Sequence, residues 1–231
     1  MSDPATPISD RGTKGEITTI EPDRQERALA RRGAESRATI PTVEYAAAAD
    51  VGALLAREPE LGRGLAAAVI AAAAQGLRAV PRLNGSYRDG RYELYARVNV
   101  GVTLSGDGLY ATPTINDADE LTAAVIGDQL EDLYERARED ELHPADLAGA
   151  TFTVVDASAY PDVAVTPLIL PPQAGALAFG PLRQVAVVRG GELVPGTTLR
   201  LSLAVDHRIV HAHHAATFLE EVKALLEEAR I

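Results

Sequence analysis

The run Asp206-His207-Arg208-Ile209-Val210, followed by His211 and Ala212, puts a carboxylate, an imidazole and a guanidinium on three consecutive residues. Imidazole titrates near neutral pH and is the side chain best matched to proton abstraction, provided that a rigid mount aims it. The neighbouring sequence offers such a mount. Alternation from Leu199 to Val205 predicts a buried strand, and the stripe Ala215, Phe218, Leu219, Val222, Leu225 and Leu226 predicts a final helix. His207 thus stands at a strand-to-helix junction, a place that suits either a general base or a plain structural histidine. His211, His213 and His214 crowd the same stretch. Histidines four apart on a helix can share a metal ion, but His207 precedes the helix and no carboxylate is placed to complete the set, so no metal is expected. For His213 and His214 the plain reading is solvated positions at the helix start. If His211 lies beside His207, mutual repulsion favours at least one neutral imidazole, the form that a base requires.

The residue inventory excludes other chemistries. Without cysteine there is no disulfide, no thiolate nucleophile and no Cys-ligated zinc. Only Lys14 and Lys223 are lysines, and neither stands where a Schiff base, a phosphate-binding loop or a lipoyl-bearing hairpin would need one. The net charge of −11 disfavours sequence-independent attraction to nucleic acid or to anionic membranes. No charged-then-apolar leader opens the chain, and the small-apolar run Leu65 to Ala74 is too short to cross a bilayer, so the expected location is the cytoplasm.

Length (231 residues) and composition (46% hydrophobic, 24% charged) fit one domain with a sizeable core. Residues 1–20 are polar with no apolar period and read as a flexible N-terminal tail, leaving 21–231 as the domain. A charged helix is predicted over Arg24 to Arg37, stopping before Ile40-Pro41. A strand follows over Thr42 to Ala49, then a short helix near Leu54-Leu55 and an Ala-rich buried helix over Leu61 to Val80. Asp89-Gly90 signals a hairpin, and alternation from Tyr92 to Leu104 predicts one strand. Leu121 to Ala137 is helical by spacing, with an acidic outer face. Strands are expected at Thr151 to Val155, Ala164 to Ile169, Ala174 to Phe179 and Gln184 to Val188, with Arg189-Gly190-Gly191 turning the chain back. Mixed order without strict alternation makes the class α+β.

Several blocks, in order and at matching spacing, resemble one acyltransferase family: the catalytic domain of the dihydrolipoamide acyltransferase component of 2-oxo-acid dehydrogenase complexes, with its relative chloramphenicol acetyltransferase. They are Ala30-Arg31-Arg32 through Glu35-Ser36 to Thr39-Ile40-Pro41, Leu83-Asn84-Gly85-Ser86-Tyr87, Asn99-Val100-Gly101-Val102 and Gly149-Ala150-Thr151-Phe152-Thr153. Thr166-Pro167-Leu168-Ile169, Pro171-Pro172-Gln173-Ala174 and Asp206-His207-Arg208 complete the series. The resemblance implies a chloramphenicol acetyltransferase-like fold, a mixed central sheet flanked by helices, and a trimer with its active site in a channel between subunits. It implies His207 as catalytic base, with Arg208, Arg32, His211, Thr153 and Ser158 in support and Asn84, Thr166 and Pro167 near substrate. Acetyl-CoA or another acyl-CoA would be the donor, without a bound lipoyl group.

Three positions depart from the family pattern. Val155 stands where the family has a serine that donates to the tetrahedral oxyanion, and His211 and Ala212 replace an Asp-Gly. Loss of one such donor costs on the order of a hundred- to a thousandfold in rate. Thr153 and Ser158 are the candidates to supply it. The expected function is therefore a free-standing homotrimeric acyltransferase, outside any larger cage. It would move an acyl group, acetyl as first expectation, to a hydroxyl of a small-molecule or carrier-bound acceptor, as relatives in polyketide or tetronate biosynthesis do. The alternatives are a catalytically inactive trimeric scaffold and a lipoamide acyltransferase that uses a lipoyl group on another protein.

Overall fold

In the computed structural model, which describes residues 7–12, 15–57, 64–106, 109–161 and 163–231, the chain opens with an antiparallel hairpin of β1 (Pro7–Gly12) and β2 (Gly15–Thr18). Its register pairs Ile8 with Ile17, a single apolar pair inside the stretch read from sequence as a tail. Helix α1 (Arg24–Thr39) starts in a capping box: the Asp23 side chain accepts the Glu26 N–H at 2.8 Å, and the Glu26 carboxylate accepts the Asp23 N–H at 2.8 Å. It stops where Ile40 turns extended ahead of Pro41. Strand β3 (Thr42–Asp50), short α2 (Gly52–Arg57) and the Ala-rich α3 (Gly64–Ala79) follow. Leu61, the expected start of that helix, lies outside the described residues.

The Asp89-Gly90 signal holds. Both residues have left-handed backbones (φ 50° and 76°) and join β4 (Gly85–Arg88) to β5 (Arg91–Leu94), the geometry that a two-residue hairpin demands. The single long strand expected from Tyr92 to Leu104 is instead two. Strand β5 stays in the hairpin, while β6 (Val100–Gly106) enters the main sheet. The break has a cause in Asn84, whose side-chain amide donates to the carbonyls of Tyr95 (3.0 Å) and Arg97 (2.9 Å) and so diverts them from any ladder. Strands β7 (Leu109–Ala111) and β8 (Thr114–Ile115) and helix α4 (Ala123–Arg138) come next, then β9 (Phe152–Asp156). The strand expected at Ala164 to Ile169 does not form. Pro167 removes a backbone donor inside that stretch and Pro161, Pro171 and Pro172 flank it, and it runs as an irregular segment. The two strands expected at Ala174 to Phe179 and Gln184 to Val188 are one, β10 (Gly175–Arg189), with a register shift between Phe179 and Leu182. Strand β11 (Glu192–Asp206) and helix α5 (Ala212–Glu227) complete the chain.

Seven strands form one mixed sheet in the order β3-β11-β10-β9-β6-β7, with β8 also on β6. Strand β9 runs parallel to both neighbours, and the other pairs are antiparallel. One face carries Leu199, Leu201, Leu203, Val205, Leu177, Phe179, Phe152, Val154, Val100 and Val102 into a continuous core with α3, α4 and α5. The opposite face is lined with small residues and holds a minor cluster of Ile40, Ile169 and Ala204. Among the described residues no helix is long and apolar enough to cross a membrane.

Helix α3 sits between α4 and α5, and its alanines permit close approach from every side. At Gly76 a Cβ would stand 2.9–3.0 Å from the ring of Phe218, which is fully buried and cannot yield, and 3.0 Å from Val222. At Gly127 on α4 the nearest atom to a Cβ would be Ala67 Cβ at 3.7 Å, an ordinary contact. Gly127→Ala should therefore stabilise by up to about 1 kcal/mol through helix propensity. Gly76→Ala should destabilise by about 1–2 kcal/mol despite the same gain, because overpacking outweighs it. Thermal melts of the two variants should shift in opposite directions; a rise in both would show that Phe218 has room.

Helix α5 begins at His211, whose backbone N–H donates to Nδ1 of His214 at 3.2 Å. That nitrogen accepts only while His214 is neutral. Burial, then the nearby His213, Arg82 and His211, hold the His214 pKa below the ordinary histidine value. The unfolded chain therefore takes up this proton first. Stability from His214 is complete above about pH 6.5 and is lost as pH falls through the folded-state midpoint. The melting temperature should drop between about pH 7 and pH 5, and His214→Gln should flatten that slope; an unchanged slope would remove His214 from the account.

Candidate active site

Strand β11 ends in Asp206, whose side chain is almost fully buried. An isolated buried carboxylate would be untenable, and Arg208 answers it. Oδ1 of Asp206 accepts the Arg208 backbone N–H at 3.0 Å and Nε at 2.9 Å, and Oδ2 accepts Nη2 at 2.6 Å. The same bond holds the Arg208 guanidinium above its ordinary pKa. The Asp206 carbonyl accepts the N–H groups of Ile209 (3.1 Å) and Val210 (2.9 Å), both side chains being fully buried. The His207 N–H donates to the Pro41 carbonyl at 3.0 Å. Buried residues on both sides thus pin a turn that leaves the His207 side chain exposed.

His211 is the nearest ring to His207, with centroids 5.3 Å apart and planes at 60°. His213 and His214 lie one turn further, 3.7 Å apart. Among the described residues no group of three or more His, Asp or Glu side chains is arranged to hold a metal ion.

The other residues singled out from sequence fall in several places. Arg32 is exposed on α1 and makes no side-chain hydrogen bond or ion pair to a described residue, so it does not meet His211 within the chain. Asn84 is buried and occupied in bracing the hairpin, and its Oδ1 has no partner. Thr166 is exposed, with Oγ1 3.4 Å from a Glu44 oxygen, and Pro167 is buried beside it. Thr153 is buried on β9; its hydroxyl donates to Gln173 Oε1 at 2.7 Å, and Gln173 Nε2 donates to the Ala150 carbonyl at 3.3 Å. That hydroxyl is already committed as a donor. Ser158 follows β9, its N–H donating to Asp156 Oδ1 at 2.8 Å. Asp156, Ser158, Ala159 and Tyr160 join Leu130, Tyr134 and β6 residues around a cavity of about 230 Å³.

His207 and Val155 do not meet within one chain. The register sets Val155 level with Ala178 and hence with Ser202, five residues short of His207 and two strands away. At about 3.3 Å per residue the separation along the sheet is roughly 17 Å.

The sequence reading missed the hairpin's role. Tyr87 and Tyr92 pair across β4 and β5, their ring centroids 6.0 Å apart, and the hairpin packs against the His207 turn. The Arg208 guanidinium lies 4.7 Å over the Tyr87 ring, and the Tyr92 hydroxyl donates to the Arg208 carbonyl at 3.1 Å. Arg82 lies 4.7 Å over Tyr92 and donates from Nη1 to the Ile209 carbonyl at 3.3 Å. The signal was present as two aromatics flanking an Asp-Gly turn, but nothing local said what they would touch.

Comparison with known proteins places this geometry in a family. The model of the 2-oxoacid dehydrogenases acyltransferase catalytic domain matches residues 14–230. A dihydrolipoyllysine-residue succinyltransferase component of the 2-oxoglutarate dehydrogenase complex from Bartonella vinsonii subsp. berkhoffii is 33% identical over 153 residues, 66% of this chain and 37% of that protein. The chain spans about two fifths of the length of the curated relatives it matches. The dihydrolipoamide acetyltransferase of Azotobacter vinelandii superposes with a TM-score of 0.89 at 24% identity, covering 99% of this chain and 98% of that one. A chloramphenicol acetyltransferase superposes at 0.58 with 14% identity, covering 85% and 94%. The fold is thus chloramphenicol acetyltransferase-like, and the chain belongs to the family of 2-oxoacid dehydrogenase acyltransferase catalytic domains.

Proposed function

We propose that this chain is an acyltransferase in which His207 is the general base, acyl-CoA is the donor and a hydroxyl on a small-molecule or carrier-bound compound is the acceptor. The observation that carries this reading is the pinned turn, which holds an exposed imidazole between the buried Asp206 and the buried pair Ile209 and Val210. The Azotobacter enzyme supports it: its catalytic mechanism has been probed at a serine, a histidine 52 residues later and an asparagine four residues beyond that. The same spacing in this chain falls on Val155, His207 and His211, with no insertion.

In this reading the neutral His207 imidazole takes the proton of the acceptor hydroxyl as its oxygen attacks the thioester carbonyl. The tetrahedral intermediate collapses, the C–S bond breaks and the CoA sulfur leaves, taking the proton back from the imidazolium. Because the Val155 end of the sheet lies far from His207 within one chain, the two can share a reaction centre only across a subunit boundary. This favours a homotrimer with the reaction between copies. Val155 has no donor to offer the oxyanion, and Thr153 is engaged with Gln173, so the rate should be low. A hydroxyl needs a well-placed base more than a thiol does, which fits a chain that retains His207 but not the serine. A catalytically silent trimer is the second reading, and Val155 is what favours it.

His207→Ala should lower acetyl transfer from acetyl-CoA by about a thousandfold or more while the assembly seen by light scattering is unchanged; retained activity would falsify the base assignment. His211→Ala should cost less. Val155→Ser should raise the rate by about ten- to a hundredfold if the oxyanion position survives. In competition between dihydrolipoamide and a panel of hydroxylated metabolites, the hydroxyl compounds should be acylated preferentially. Acylation of dihydrolipoamide alone would return the chain to lipoamide chemistry, and a thermal-shift screen that finds no acyl-CoA binding would favour the silent trimer.

A further inference from the structure

We propose that Arg82 and Tyr92 are positioning residues for His207, acting as a clamp on the backbone of its turn. The inference rests on His207 being the base. A turn that presents a base must hold its backbone still, since a side chain mounted on one or two free peptide planes sweeps an arc. Inside the protein the turn is fixed at Asp206, Ile209 and Val210. On the outside the carbonyls of Arg208 and Ile209 face the β4–β5 hairpin and the short helical turn before it, and each meets a donor there. Tyr92 Oη donates to the first at 3.1 Å and Arg82 Nη1 to the second at 3.3 Å.

The two donors are themselves a stacked pair, the guanidinium carbon lying 4.7 Å above the Tyr92 ring. Arg82 therefore fixes the ring that fixes the first carbonyl while it holds the second directly. Tyr87 extends the stack, 6.0 Å from Tyr92 and 4.7 Å from the Arg208 guanidinium. Arg82 is mounted on the short helical turn Pro81–Leu83, whose Leu83 is fully buried, and the hairpin springs from Asn84 immediately after it. Clamp and mount thus form one rigid block, 116 residues away in sequence from the carbonyl that Tyr92 holds. Tyr92 is 45% exposed, so loss of its hydroxyl leaves no buried polar group and the fold does not depend on it.

The test compares Tyr92→Phe, Arg82→Met, their double mutant and Arg82→Lys in the full chain, with acetyl-CoA as donor and the best acceptor from the competition panel. Tyr92→Phe should lower kcat about three- to tenfold and Arg82→Met about ten- to fiftyfold, with KM for both substrates within about twofold. The double mutant should lose less than the product of the two, because both act through one stack. Arg82→Lys should recover part of the loss. In 13C-histidine NMR the His207 ring signal should broaden in Arg82→Met, while the melting temperature stays within about 2 °C of the parent, because the bond that is lost is long and only part-buried. Wild-type kcat and a sharp His207 signal in both single variants overturn the clamp. So does a loss of rate matched by loss of assembly or of melting temperature, which would make the pair merely structural. Absence of turnover in the parent protein sinks the acyltransferase reading instead, and the His207 ring signal then still decides the clamp.

Discussion

The organising constraint is a carboxylate that cannot be left alone. Asp206 is nearly excluded from solvent at the end of β11, and its bidentate pair with Arg208 is local, two residues away. A charge removed from water and deprived of its partner costs on the order of 3–5 kcal/mol. The backbone satisfies that demand only if residues 207 and 208 fold back in a tight turn, because both the Arg208 N–H and its side chain must reach the same two oxygens. The turn in turn expels the side chain of His207 and drives Ile209 and Val210 into the core. Exposure of the imidazole is a by-product of pairing its neighbours.

Around that turn the sheet supplies distance. Its strands bring one end of β11 and the opposite end of β9 to surfaces far apart, so neither end holds a full set of groups for acyl transfer. In the proposed mechanism this division makes chemistry conditional on assembly, and it lets the two halves drift separately. Here the half that carries His207 is firmly built, while the other half presents Val155 and binds the neighbouring Thr153 hydroxyl to Gln173. His211 belongs to the first half, where its ring stands edge-on to His207 at 5.3 Å.

Legibility in the sequence followed the range of the interactions. The buried α3, the Asp89-Gly90 hairpin and the junction at His207 were readable because each is written in adjacent residues: small apolar runs, a left-handed dipeptide, an alternating strand running into a stripe. The break between Leu94 and Val100 was not, since its cause is the amide of Asn84 more than ten residues upstream. The failed strand before Ile169 had its prolines in plain view, and the apolar alternation between them was the weaker evidence. Asn84 and Thr166 were picked out on motif positions shared with relatives, whereas the folded chain shows Asn84 engaged by its own backbone and Thr166 beside Glu44. Arg82 and Tyr92 escaped notice because their partners are carbonyls, which no side-chain pattern records.

The order in which the sheet is assembled has a consequence during synthesis. Strand β3 pairs along its whole length, Thr42 to Asp50, with Asp206 to Thr198 of β11 and, among the described residues, with no other strand. At about 5–20 residues per second, a strand made early waits roughly 10–30 s on the ribosome before its mate, about 150 residues later, emerges. For that interval its main-chain donors and acceptors are open to any passing extended segment, including β3 of another nascent chain. The alternation of Glu44, Ala46 and Ala48 on the outer side of this strand offers one charge and little apolar surface to such a pairing. The other face, with Val43, Tyr45, Ala47 and Ala49, is apolar and stays uncovered until β11 and α5 arrive, so whatever restraint β3 has against such pairing lies on the Glu44 side alone.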